Sequence, residues 1–283
     1  MCRLLGWVAH PGTSLRQVLG EESFAAFAQL SRIHADGWGI ASTDGPQVRV
    51  QKSVECAATD PSFLTTSTEL VADAALAHLR WASPGLAVEE RNSHPFLHGT
   101  AAFAHNGGIY PLDQLPGLLP PAWQAQLSGN TDSEHYFLAV LAEAQESGAD
   151  LPTAIAGTAA RLAADFRPSS LNAMLLTPEA LYVVNCHDAS LPSPPAPPER
   201  TVDGLIEQIE LAAPYYDLRY RRSGRSVVVA SSGFAQPEGG GWQFIPNNTV
   251  LVVDRATLRT EEHPLGVALA SASAASVAGA DRR

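Results

Sequence analysis

Met1-Cys2-Arg3-Leu4-Leu5-Gly6-Trp7-Val8-Ala9-His10-Pro11-Gly12 opens the chain, and the rest of the sequence is read outward from it. Residues 3–9 form an apolar run of strand length, bounded by the turn residues His10-Pro11-Gly12. The run is too short for a signal peptide, and no segment reaches the ~20 apolar residues of a membrane helix. A cytoplasmic location is therefore expected. Cys2 stands just outside this strand. The other cysteines, Cys56 and Cys186, complete an odd and sparse set that speaks against a disulfide framework.

A cysteine at position two is either incidental or chemical. Initiator methionine is usually trimmed before a small residue, so the expected mature chain starts at Cys2, with a free α-amine and a thiol on one carbon. A terminal α-amine titrates at about 8 and a thiol at about 8.5, so both change protonation near neutral pH. Nucleophile and general base then share one residue, and no catalytic histidine is required.

Around this start the pattern is mixed. Residues 24–30 carry helical spacing behind Glu21 and Glu22. Residues 38–41 and 48–50 read as strands paired through Asp44-Gly45-Pro46. Ala74 to Trp81 and Ala101 to His105 are further strands. Ser133 to Glu146 and residues 151–166 are helices. Residues 173–177, 181–185, 226–230 and 249–254 are later strands. Two adjacent helices flanked by runs of strands indicate layered sheets and helices of the α+β class rather than repeated βαβ units. Pro192 to Pro198 is a proline-rich excursion, within a surface loop expected over 189–200. The Ala/Ser-rich tail over 266–283 is expected to be disordered.

Composition narrows the function. Hydrophobic residues make up 45% of the 283, which supports a sizeable core, and the net charge of −11 without basic clusters argues against nucleic acid as a partner. Nine histidines raise the question of a metal. However, His94 and His98 flank Pro95, which spoils helical ligand spacing, and Cys56 and Cys186 have no CxxC partner. No metal and no cofactor are expected.

Three other stretches carry chemistry. Arg80, at the end of the Ala77-His78-Leu79-Arg80-Trp81 strand, offers a planar fork suited to a carboxylate. A structural ion pair is its plainer reading. Asn106-Gly107 follows Phe103-Ala104-His105 and could supply a side-chain amide and a backbone N–H to a developing oxyanion, although Asn-Gly is also a common turn. Asp132, in Asn130-Thr131-Asp132-Ser133-Glu134, is either a helix-start residue or a carboxylate for an ammonium group.

In order and surroundings these stretches resemble the class II glutamine amidotransferases of the N-terminal-nucleophile hydrolase superfamily. The matching pieces are Met1-Cys2, Asp36-Gly37-Trp38-Gly39-Ile40, His78 to Ser83, Asn92-Ser93-His94-Pro95-Phe96, His105-Asn106-Gly107 and Thr131 to Glu134. The later residues 171–176 and 226–242 are similar to the closing strands of its short, stand-alone members. The resemblance implies a four-layer αββα sandwich of two antiparallel sheets over residues 2–265. It further implies Cys2 as nucleophile, with Asn106 and the Gly107 N–H as oxyanion hole. Arg80 and Asp132 would hold the glutamine α-groups, Trp81 and Ser83 would belong to the substrate loop, and His94 would be structural. Synthase members use the released ammonia in a second domain. Without one, this chain would hydrolyse its own γ-glutamyl substrate or pass ammonia to a separate protein. The alternatives are the γ-glutamyl-hercynylcysteine sulfoxide hydrolase of ergothioneine synthesis and a non-catalytic glutamine-binding subunit. Asn92 to Phe96 fits the general stand-alone members better than that specialised hydrolase.

Overall fold

A computed structural model describes residues 2–83, 85–191, 215–267 and 269. The proline-rich 192–198 stretch and nearly all of the tail lie outside them. Up to the start of the first long helix the strands are β1 (Arg3–Thr13), β2 (Trp38–Asp44), β3 (Gln47–Ser53), β4 (Ala72–Leu79), β5 (Phe96–His98), β6 (Ala101–Asn106) and β7 (Ile109–Tyr110). After the helices come β8 (Arg167–Pro168), β9 (Asn172–Leu176), β10 (Ala180–Asn185) and β11 (Leu218–Arg222). The last are β12 (Ser226–Ser231), β13 (Trp242–Phe244), β14 (Thr249–Asp254) and β15 (Thr260–Pro264). Helices α1 (Leu15–Leu19), α2 (Glu21–Leu30) and α3 (Pro61–Glu69) precede β4, and α4 (Pro121–Gln124), α5 (Asp132–Ser147) and α6 (Leu151–Asp165) precede β8.

Two large antiparallel sheets organise the molecule. One runs β13-β11-β12-β1-β4-β2-β3 and the other β15-β14-β10-β9-β6-β5, with β7 and β8 as a separate pair. Three apolar layers join them into a sandwich. Leu5, Trp7 and Ala9 face Phe24, Phe27 and Phe63 of α2 and α3. Leu4, Val8 and Leu76 meet Ala104, Met174 and Leu181 between the sheets. Phe103, Ala173 and Leu175 cover Phe137, Ile155 and Leu162 of α5 and α6. Helices, sheet, sheet and helices give the expected αββα order.

Because β1 is covered on both faces it shows no polar alternation, which is why it reads as one continuous apolar run. It does not stop at His10. The strand continues to Thr13, with a register shift against β4 between Val8 and Thr13. The His10 N–H, donating to Arg225 O at 2.8 Å, keeps that bend tied to the sheet. Six strands gave no clear signal, for different reasons: β7 and β8 have only two residues each. β5 and β13 have three residues each, while β11 (Leu-Arg-Tyr-Arg-Arg) and β15 (Thr-Glu-Glu-His-Pro) carry too little apolar surface. At the C-terminal side, Val267 is buried against the α5–α6 layer. No helix among the described residues is long and apolar enough to cross a membrane.

Candidate active site

The first sheet brings Arg3, Leu79 and Trp38 into one row. Cys2 and Arg80 therefore leave the same end of that sheet on adjacent strands. On the facing sheet β6 ends at Asn106, paired with Asn172. The two sheets thus deliver Cys2 and Asn106 to one place. The Cys2 nitrogen donates to Asn106 Oδ1 at 2.8 Å. That bond fixes the amide's orientation, so Asn106 Nδ2 points the other way, buried and with no partner among the described residues. A buried amide N–H without an acceptor costs about 1–3 kcal/mol, and it marks where an acceptor would be held.

Gly107 follows directly. A side-chain carbon there would overlap Ser170 O, so only glycine lets the loop pass this close. Its N–H makes no hydrogen bond among the described residues. His105, on the other face of β6, is a tie between layers: Nδ1 is 2.9 Å from Ser133 Oγ and Nε2 is 2.9 Å from Ser170 O. Since a carbonyl only accepts, Nε2 carries the proton and Nδ1 accepts from the Ser133 hydroxyl.

The other predicted residues surround this centre. The Trp81 N–H points at Cys2 Sγ at 3.5 Å, and the thiol lies 3.7 Å from Trp81 O. Arg80 is buried. Its Nη1 and Nη2 donate to Asp36 O at 3.4 Å and Ala87 O at 3.0 Å, and no carboxylate of a described residue pairs with it. Burial lowers its pKa, while negative charge at Cys2 and Asp36 would raise it. Asp132 is the first residue of α5, whose Thr131 cap accepts from the Glu134 N–H. Its Oδ2 accepts from Ile109 N at 2.9 Å, which ties it to the loop that carries Gly107. Ser83 hydrogen-bonds Tyr110, whose phenol is raised in pKa by burial and then by the charge of Asp132.

The sequence reading missed the support beneath Cys2. Arg3 is fully buried, with its guanidinium 4.0 Å from the centre of the Tyr215 ring and Nη1 donating to Tyr215 O at 3.2 Å. The Tyr215 hydroxyl reaches Cys2 O at 3.2 Å and His34 Nε2 at 3.3 Å. Burial first, and the Arg3 charge second, hold the His34 pKa well below its ordinary value. An arginine inside an apolar strand run was the available signal for Arg3; His34 and Tyr215 gave none. Tyr216 is also buried, its pKa pushed up to about 12 by desolvation.

His94 packs against His78, ring centres 4.3 Å apart, behind the site. No group of three His, Cys, Asp or Glu side chains among the described residues could hold a metal.

A family model for glutamine amidotransferases class-II matches residues 1–186. The chain belongs to the class-II glutamine amidotransferases. A Haemophilus influenzae protein that carries the glutamine amidotransferase name is 33% identical over 143 residues, covering 48% of this chain and 46% of that one. The match thus spans about half of each protein. The γ-glutamyl-hercynylcysteine sulfoxide hydrolase of Mycobacterium tuberculosis (strain CDC 1551 / Oshkosh) is 33% identical over 120 residues, covering 38% of this chain and 50% of the hydrolase. Among solved structures, a glutamine aminotransferase class-II domain protein from Silicibacter pomeroyi superposes with a TM-score of 0.63 at 19% identity. It covers 94% of this chain and all of its own, which establishes a shared fold. The family match ends at Cys186, after β10, so it contains every residue of the predicted site but not Tyr215.

Proposed function

We propose that the protein is an amidase that hydrolyses the γ-amide of glutamine or of a related γ-glutamyl compound through a Cys2 thioester. The carrying observation is the Cys2 nitrogen bonded to Asn106 Oδ1, with Asn106 Nδ2 left buried and unpaired. With Met1 removed, that nitrogen is the α-amine, held beside the thiol. It takes the thiol proton, and Sγ attacks the γ-carbonyl carbon. Asn106 Nδ2 and the Gly107 N–H receive the oxyanion. Collapse breaks the C–N bond, and the α-ammonium returns its proton to the leaving amine. Water then adds to the thioester, and glutamate and the free thiol result.

Arg80 holds the substrate α-carboxylate and Asp132 its α-ammonium, with Trp81 and Ser83 on the loop over the substrate. A released ammonia either diffuses away or passes to a separate acceptor protein. A second reading, hydrolysis of γ-glutamyl-hercynylcysteine sulfoxide, is favoured by the mycobacterial relative. Glutamate release from each of the two compounds, together with the mass of the purified N-terminus, tests the proposal. Release from glutamine by a chain starting at Cys2 is the expected result, and release only from the sulfoxide selects the second reading. A functioning enzyme that retains Met1 would defeat both. A non-catalytic binder would bind glutamine and remain unlabelled by diazo-oxo-norleucine.

A further inference from the structure

Asn92 lies in the stretch that resembled the family but received no role. It ends a single 3-10 turn (Glu90–Asn92) and is 1% exposed. Its side chain makes two contacts that meet at the two substrate clamps. Nδ2 donates to Ala87 O at 3.3 Å, the same carbonyl that accepts from Arg80 Nη2 at 3.0 Å. Oδ1 accepts from Asn130 N at 3.2 Å, two residues before Asp132. The 128–131 segment is held from its other side as well. The Glu134 carboxylate accepts from Ser128 N and Gly129 N, both at 2.8 Å. Gly129 packs so closely that a side-chain carbon there would overlap Asn92 Oδ1.

Arg80 and Asp132 come from different layers, β4's end and α5's start, and no hydrogen bond joins them directly among the described residues. The path between them runs Arg80, Ala87 O, Asn92, Asn130 N, Asp132, with Asn92 its buried middle and Ala87 and Asn130 at its exposed edges. One amide spans it, since the Asn side chain presents a donor and an acceptor on one planar group. We infer that Asn92 is a positioning residue that sets the spacing of Arg80 and Asp132, and so selects ligands carrying both an α-carboxylate and an α-ammonium. This rests on the proposed roles of those two residues. Asn92 acts on binding and leaves Cys2 chemistry alone, since neither contact reaches Cys2, Asn106 or Gly107.

The test uses the full chain, wild type and with Asn92→Ala or Gly129→Ala. Inactivation by diazo-oxo-norleucine, which has both α-groups, is compared with alkylation of Cys2 by iodoacetamide, which has neither. Both variants are expected to raise the half-saturating diazo-oxo-norleucine concentration about ten-fold, the factor of one lost hydrogen bond. The limiting inactivation rate and the iodoacetamide rate stay within about two-fold of wild type, a split that binding-only effects predict. Unchanged half-saturation, or a parallel fall in the iodoacetamide rate, overturns the role of Asn92. A wild-type chain that accepts iodoacetamide on Cys2 but never diazo-oxo-norleucine overturns the γ-glutamyl reading instead. Should Asn92→Ala not fold, Gly129→Ala, which keeps Asn92 and pushes on its acceptor, carries the same expectation.

Discussion

The seam between the two sheets has two different ends. Along most of its length it is apolar and tight: Leu4, Val8, Leu76, Ala104, Met174, Leu181, Val229 and Leu251 are all buried there. A side-chain carbon on Gly6 would come within 2.8 Å of Leu181 and 3.0 Å of Met174, so any larger residue there would force those two side chains to move. At the Cys2 end the same seam buries polar atoms without partners among the described residues: Asn106 Nδ2 and both ring nitrogens of His94. The apolar stretch stabilises the sandwich. The polar end costs stability locally, and such local violations are expected where a protein works on a ligand.

The sharpest break of this contrast is at Cys2. Cys2→Ala is expected to abolish glutamate release and diazo-oxo-norleucine labelling while the melting temperature stays near wild type, since no apolar packing is lost. Next is Asn106→Ala, which removes one proposed oxyanion donor. A fall in kcat on the order of 10²–10³ is expected, with less change in KM. At the apolar end the effects reverse. Leu181→Ala should lower unfolding free energy by about 2–5 kcal/mol in denaturant titrations, with labelling of the remaining folded fraction unchanged.

The smallest effect concerns pH. Burial holds the pKa values of both His78 and His94 well below the ordinary range, with the Arg80 charge next for His78 and the His78 charge next for His94. Both are neutral in the folded protein, while the unfolded chain takes up protons below about pH 6.5. The unfolded state then binds more protons, so stability falls as pH drops from about 6.5 towards the lowered folded values. Thermal melts at pH 7 and pH 5 should show that loss, and His94→Gln should make it shallower.

Much of this was legible in the chain order of residues. Cys2, Arg80, Asn106-Gly107 and Asp132 stood out as candidates because each sits at the end of a periodic segment, where loop chemistry stands out from strand or helix pattern. The strands β1, β6, β9, β10 and β14 were found because burial on both faces leaves an apolar run. By contrast, β11 and β15 were invisible, since their residues are polar enough to pass for loop. His34 and Tyr215 were invisible for another reason: nothing local distinguishes a histidine after a helix or a tyrosine before a strand.

By itself the sequence determined the inventory, because residue type and local spacing fix what each segment can become and what chemistry it can carry. It could not place Cys2 against Asn106, 104 positions away. Nor could it put Arg3 on Tyr215, or join Arg80 to Asp132 through Asn92. Those contacts follow from strand register and the stacking of the two sheets, which depend on how all the apolar faces pack at once. The tertiary structure alone decided them.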